Sequence, residues 1–260
     1  MSGESGREGR EGSMHQFFVK PEQVAESPVQ MTGGEYNHIR NVLRLRIGDR
    51  VVIQDGTGKE YLSVISEFDE NKQAVLFDII DIRAGEGELP AGITLFQGYP
   101  KGDKMETIVQ KAVELGASEI VPVMMKRSVV KLDSKRAQKK VERLQAIADS
   151  AAKQSKRGRI PQVTEVMAWQ EAVAHAAELD YLLLPYEQAE GMEAARQVLK
   201  RAKGKERIGV FIGPEGGFDA SEVEQLCGIG AQVMTLGHRI LRTETAGMTV
   251  LSLLMFLLDE

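Results

Sequence analysis

The rhythm of hydrophobic and polar positions changes once along the chain. Between residues 14 and 81 the apolar residues fall in short runs rich in Val, Ile and Phe, and residues 17–19, 50–54, 61–66 and 74–81 are predicted as strands. Asp55-Gly56-Thr57-Gly58 and Asp69-Glu70-Asn71-Lys72 supply turns between them. One helix interrupts, over residues 35–45, with Tyr36, Ile39, Val42 and Leu43 on its apolar face and His38, Arg40 and Arg44 on the other. Short strands with turns this close predict a small β-barrel over residues 14–83. Residues 84–92, with Ala84-Gly85-Glu86-Gly87-Glu88 and Pro90, read as a linker.

From residue 93 onward strands and helices alternate. Strands are expected at 93–98, 119–124, 181–184, 208–212 and 232–236. Helices are expected at 103–115, 134–155, near Trp169, and at 192–201, 219–227 and 244–258. The first of these helices places Met105, Ile108, Val109, Ala112 and Val113 at helical spacing and is stopped by Gly116. Such alternation implies an α/β domain over 93–260, a mainly parallel sheet with helices on both faces. The last helix is apolar nearly all round, so it is expected to be buried in the fold or against a partner subunit. Its apolar run, 250–258, is too short for a bilayer, which needs roughly 20 residues.

Composition narrows the picture by exclusion. A chain of 260 residues, 42% hydrophobic and 27% charged, is not disordered as a whole. A single cysteine, Cys227, and four scattered histidines leave no disulfide and no metal centre to expect, and fit a reducing cytoplasm. Residues 1–13, made of Gly, Glu, Arg and Ser with no apolar core, are expected to be a disordered tail or an expression-tag scar. The net charge of −5 argues against a polyanion partner, but its distribution does not. Between Lys126 and Arg159 twelve basic residues face three acidic ones, a net of +9. A stripe of that kind attracts phosphate to one face, although a merely solvated helix face has the same composition.

In parallel sheets ligands bind beyond the carboxyl ends of strands. Three predicted strand ends carry unusual residues: Leu184-Pro185-Tyr186-Glu187, Gly213-Pro214-Glu215-Gly216-Gly217-Phe218, and the stretch from Leu236 to Thr245. The glycines of the second allow close backbone approach, and Asp219 with Glu222 forms a helix-start signal after it. It matches neither the dinucleotide fingerprint nor the phosphate loop ending in Gly-Lys-Ser/Thr. A structural turn remains an alternative, as does surface salt-bridging for Arg242 and Glu244 in the third.

The two long motifs, Ile212 to Phe218 and Leu236-Gly237-x-Arg239-Ile240-Leu241-Arg242-Thr243-Glu244-Thr245-Ala246, resemble those of the bacterial 16S rRNA uridine-N3 methyltransferases, the RsmE family of the SPOUT superfamily. Lys101-Gly102-Asp103-Lys104-Met105-Glu106, Glu114-Leu115-Gly116-Ala117 and Gln154-Ser155-x-Arg157 are similar too. The resemblance runs from Met14 to the C-terminus. It departs at Lys153, where Glu is common, and at His238, where Pro is common. It implies a PUA-like RNA-binding β-barrel, a C-terminal SPOUT α/β domain with a trefoil knot, a homodimer, and S-adenosyl-L-methionine as cofactor, with 16S rRNA or the small ribosomal subunit as partner. Carried over residue by residue, the cofactor site would comprise Leu184, Pro185, Gly213, Pro214, Glu215, Gly216, Leu236, Gly237, Ile240, Leu241, Arg242 and Thr245. Arg242 would stabilise the uracil oxygens or a neighbouring phosphate, and Glu244 would act as base or orienter, or simply pair with an arginine. Arg40, Arg44, Lys101, Arg127, Lys131, Arg157 and Arg159 would contact RNA. Another SPOUT enzyme acting on a ribose hydroxyl or a tRNA base, and a non-catalytic RNA-binding assembly factor, are the alternatives.

Overall fold

The computed structural model describes residues 14–25, 27–85, 87–130, 134–189 and 191–259. The expected N-terminal tail, residues 1–13, lies outside the described residues, as does Lys131. The chain divides into two compact units, with the boundary between Glu86 and Gly87.

The first unit is a five-stranded sheet in the order β1-β3-β4-β5-β2. Its strands are β1 (Gln16–Phe18), β2 (Val29–Thr32), β3 (Arg50–Gln54), β4 (Lys59–Asp69) and β5 (Ala74–Ala84). Only β1 and β3 run parallel. Among the described residues no pairing joins β1 to β2, so the hydrogen-bonded path stays open rather than closing into the expected ring. Alternation decides which side is core: Val51, Ile53, Tyr61, Ile65, Val75 and Phe77 are buried together. A short helix, α1 (Pro21–Val24), and the strand β2 were not expected; both are too short for periodicity to register. The predicted helix over 35–45 is real but irregular. It begins as α2 (Gly34–Asn37) and widens to a π-helical turn over His38–Val42, which ends on Arg44 at φ 55°.

The second unit is a parallel sheet of seven strands. The order is β12-β10-β11-β6-β7-β8, with β9 also paired to β7. Its strands are β6 (Gly92–Gly98), β7 (Ala117–Met124), β8 (Gln162–Val163), β9 (Met167–Ala168), β10 (Tyr181–Pro185), β11 (Arg207–Ile212) and β12 (Gln232–Met234). The helices are α3 (Lys104–Glu114), α4 (Ser134–Gln154), α5 (Trp169–Ala176), α6 (Met192–Lys200), α7 (Ala220–Gly228) and α8 (Thr243–Leu258).

Strand periodicity sorts them onto two faces. Ile93 and Leu95 of β6 and Ile208, Val210 and Ile212 of β11 point into a core shared with α3, α4, α6 and α8. Phe96 and Phe211, the intervening residues, point into the opposite core with α5 and α7. These two rings stack with centroids 4.3 Å apart. Helices on both faces were legible from the alternation; β8 and β9, of two residues each, were not. The expected linker is divided between the two units. Ala84 ends β5, whereas Leu89 packs on the second unit's core and Glu88 pairs with Arg157.

Candidate active site

Because β10, β11 and β12 are neighbours and parallel, their carboxyl ends leave the sheet on one edge. The loops that follow them, with Lys104 of α3, line a cavity of about 820 Å³. Pro185 and Tyr186 come from the first, Gly213 to Phe218 from the second, and Leu236 to Thr243 from the third. The resemblance implied one cofactor site from these three strand ends, and strand order brings them together as one wall.

The Gly213 to Phe218 loop is held from several sides. Gly217 N–H donates to Pro214 O at 2.8 Å, closing the turn. Asp219 caps α7, accepting from Ser221 N–H at 3.2 Å, while Asp219 N–H donates to Glu222 Oε2 at 2.8 Å. The hydrogen bond from Ser221, followed by that from Lys126, holds the Asp219 carboxyl at about 2. Depression has a definite sign: this contribution is present above the ordinary carboxylate range and fades only as pH falls through about 2. Glu222 is fully buried and accepts a second backbone bond, from Lys126 N–H at 2.8 Å. Arg127 Nη1 donates to Gly216 O at 3.1 Å. The loop after β7 is thereby fastened to the loop after β11.

A second tether crosses the sheet. Gln97 Nε2, at the end of β6, donates to Thr243 Oγ1 at 2.8 Å, and that hydroxyl donates to Gly213 O at 2.6 Å. One buried hydroxyl therefore joins β6, the loop after β11 and the start of α8. Gly98 makes the junction possible, because a Cβ there would lie 2.5 Å from Pro214 N and Cδ and 2.9 Å from Met125 Sδ. Gly98→Ala is expected to displace Pro214, costing about 1–3 kcal/mol. Cofactor affinity should fall with it; unchanged calorimetric affinity and melting would mean that Pro214 gives way freely.

Charge gathers at one end of the cavity. Lys104 Nζ donates to Glu215 Oε1 at 2.8 Å and stands 3.9 Å from Glu244 Oε2. Glu215 also receives Lys101 N–H at 3.3 Å. Burial would raise the Glu215 carboxyl, but the hydrogen bond from Lys104 and those from backbone N–H groups hold it below its usual range. Glu244 Oε2 is buried and has no hydrogen-bond partner.

The expected site residues separate on this geometry. Pro185, Gly213, Pro214, Glu215, Gly216, Leu236, Gly237, Ile240, Leu241 and Arg242 all line the cavity. Gly237, at φ 110°, takes a backbone turn that side-chain-bearing residues rarely adopt. Leu184 is fully buried in the α5/α7 core, so its side chain cannot touch a ligand. Thr245 is exposed and off the cavity wall. Glu244 does not line the cavity either; its Oε2 is buried near Lys104, which fits an orienting role rather than direct proton removal.

Among the RNA candidates, Arg157 is corrected. Its side chain is 5% exposed, and its guanidinium is committed to Glu88 at 2.5 Å and to the carbonyls of Val113 and Ala117. Arg44, Lys101, Arg127 and Arg159 are exposed. Arg40 is ion-paired to Glu70 at 2.6 Å and lies over the Phe68 ring. Sequence reasoning gave no site role to Lys104, Gln97 or Thr243, and read Glu222 only as part of a helix-start signal. Lys104 lay inside a motif already singled out, and only the fold shows which of that motif's charges meets the cavity.

With this geometry in place, comparison gives consistent matches. Residues 87–255 match the RNA methyltransferase domain family and residues 31–80 the RNA methyltransferase PUA domain. The chain is 38% identical over 246 residues to the ribosomal RNA small subunit methyltransferase E of Bacillus subtilis, covering 92% of this chain and 95% of that one. It is 30% identical to the protein of the same name from Synechocystis, covering 95% and 78% respectively. Its fold matches the crystal structure of ribosomal RNA small subunit methyltransferase E from Neisseria gonorrhoeae bound to S-adenosyl methionine. That match has a TM-score of 0.73 at 30% identity, covering 92% of this chain and 96% of the other.

Proposed function

Because the chain belongs to the ribosomal RNA small subunit methyltransferase E family, we propose that this RNA methyltransferase transfers a methyl group to N3 of one uridine of 16S rRNA. Its cofactor is S-adenosyl-L-methionine, as in the solved relative. The observation that carries the reading is the single cavity formed by the Gly213 to Phe218 and Leu236 to Arg242 loops. Its lining suits this cofactor: Pro185, Ile212, Leu236 and Leu241 offer an apolar wall for an adenine, and the glycine turns expose backbone groups for the polar ends. Glu215, held ionised, offers a negative counterpart to a cationic ligand.

When bound, the cofactor supplies a methyl group on a positively charged sulfur. The residues of this chain must then hold the uracil in line, compensate charge on the carbonyls beside N3, and exclude water. Arg242 lines the cavity, and its side chain has no hydrogen bond or ion pair among the described residues, so its guanidinium is available to a uracil oxygen or a phosphate. N3 lies on the pairing edge, so the base enters unpaired or extruded. Lys101, Arg127 and Arg159 of the second unit, and Arg44 of the first, are proposed as phosphate contacts, each in its own unit. Lys131 keeps its place in that proposal from its position in the basic stretch of the sequence alone.

Further features belong to the same reading. Residues 14–83 serve as the RNA-binding PUA-like unit and 93–260 as the catalytic domain, with 84–92 divided between the two units. The end of the catalytic domain is threaded into the trefoil knot that the family resemblance implies. The enzyme works in the cytoplasm as a homodimer, and the 81% exposure of Phe256 and 39% exposure of Leu253 on α8 support such a contact. Among the described residues there is no helix long and apolar enough to cross a membrane, and no acidic, His or Cys group that could hold a metal.

The experiment is mass spectrometry of 16S rRNA from a strain lacking the protein, before and after incubation with purified protein and cofactor. One 3-methyluridine should be missing and then return. Return of a ribose methyl or of no methyl at all would reject the uridine-N3 assignment.

A further inference from the structure

We infer that Lys104 is a catalytic residue, its ammonium donating to a carbonyl oxygen beside uracil N3 and stabilising the ring once N3 has lost its proton. The inference rests on the uridine-N3 reading above and gives part of the charge stabilisation to a residue outside both long loops. Lys104 lies on the cavity wall, brought there by the first turn of α3. An ammonium has three donors. Glu215 takes one at 2.8 Å, whereas Glu244 at 3.9 Å lies beyond hydrogen-bond range and acts by charge alone. At least one donor is thus left for the cavity.

The two carboxylates also answer an electrostatic difficulty. A bare lysine beside a cationic methyl donor would repel it, but Lys104 is compensated by Glu215 and Glu244 from two other segments. The uracil edge presents a carbonyl on each side of N3, and the cavity offers a cation for each: Lys104 for one, Arg242 for the other. Other titratable and charged groups on the wall are Tyr186, Glu187, His238 and Arg239.

The chemical step balances without a protein base. The N3 proton leaves to water, and its bonding pair stays on the ring, delocalised onto the oxygens that Lys104 and Arg242 face. The N3 pair then forms the bond to the methyl carbon as the carbon–sulfur bond breaks. Sulfur keeps that pair, so a neutral thioether and a methylated uracil result, with one proton released.

The test compares wild type, K104M and K104R across pH on 16S rRNA lacking the modification, with calorimetric S-adenosylmethionine binding measured beside it. At neutral pH, K104M should lose about 10–100-fold in kcat, with cofactor affinity held within about threefold. Its deficit should shrink toward about pH 9.5, because base strength of the medium replaces the lost stabilisation. K104R should recover part of the rate at neutral pH, since it restores the charge. A K104M profile parallel to wild type, or a drop explained wholly by weaker cofactor binding, would overturn the inference. If K104M does not fold, K104Q carries the same comparison. Should wild type place its methyl elsewhere than N3, the underlying reading fails; should wild type make 3-methyluridine while K104M only parallels it, this inference alone fails.

Discussion

Arg242→Ala is expected to lower kcat by about 10²–10³-fold, the usual loss when one fixed donor to developing charge is removed. Calorimetric affinity for S-adenosylmethionine should stay within about threefold, because the neighbouring loop offers its backbone to the cofactor whatever side chain stands at 242. Arg242 is the N-cap of α8, with its backbone extended at φ −66°, ψ 155°, so alanine leaves the helix start unchanged. Its side chain has no partner among the described residues to be left stranded. Arg242→Lys should recover only part of the rate, because an ammonium cannot offer the paired, planar donors of a guanidinium. Near-normal turnover in the alanine variant would remove Arg242 from the mechanism.

Arg157→Met is expected to destabilise the protein by about 3–5 kcal/mol, the range for removing one partner of a buried ion pair. The variant leaves Glu88 without its cation, with the Arg159 N–H as a remaining donor, and takes one donor each from the carbonyls of Val113 and Ala117. Melting should fall on the order of 10 °C. The competing outcome is distinct: a phosphate contact would leave melting unchanged while weakening RNA binding and flattening its salt dependence. Unchanged melting would therefore contradict the placement of this guanidinium.

The contrast between these two arginines shows what the sequence carried and what it did not. Both stand in motifs of the same family, and nothing in their spacing separates them. Arg242 follows a strand whose end was visible in the apolar run and the glycine after it, so its exposure at the sheet edge could be expected. Arg157 follows the long basic helix, where the charge pattern suggested a phosphate face. Its inward turn depends on Glu88, 69 positions earlier, in a stretch whose glycines and proline read as linker. Long helices and the strands of four or more residues in the second unit were legible for the same reason: their periodicity is local. The strand order was not, because it is set by which apolar faces cover each other. Lys104 went unassigned on that account; it meets Glu215 and Glu244 only once β6 and β11 lie side by side.

The hydroxyl of Thr243 has a consequence for synthesis. It bonds to Gln97 across 146 positions and to Gly213 across 30, so the cavity wall is stitched from early, middle and late parts of the second unit. A nascent chain that has exposed β6 through β11 to solvent already holds most of the sheet, yet has no closed pocket. The cofactor can then bind only after the residues of α8 have left the ribosome. Its affinity would act as a late check on completed folding, and a chain stalled short of residue 243 should gain no protection from it.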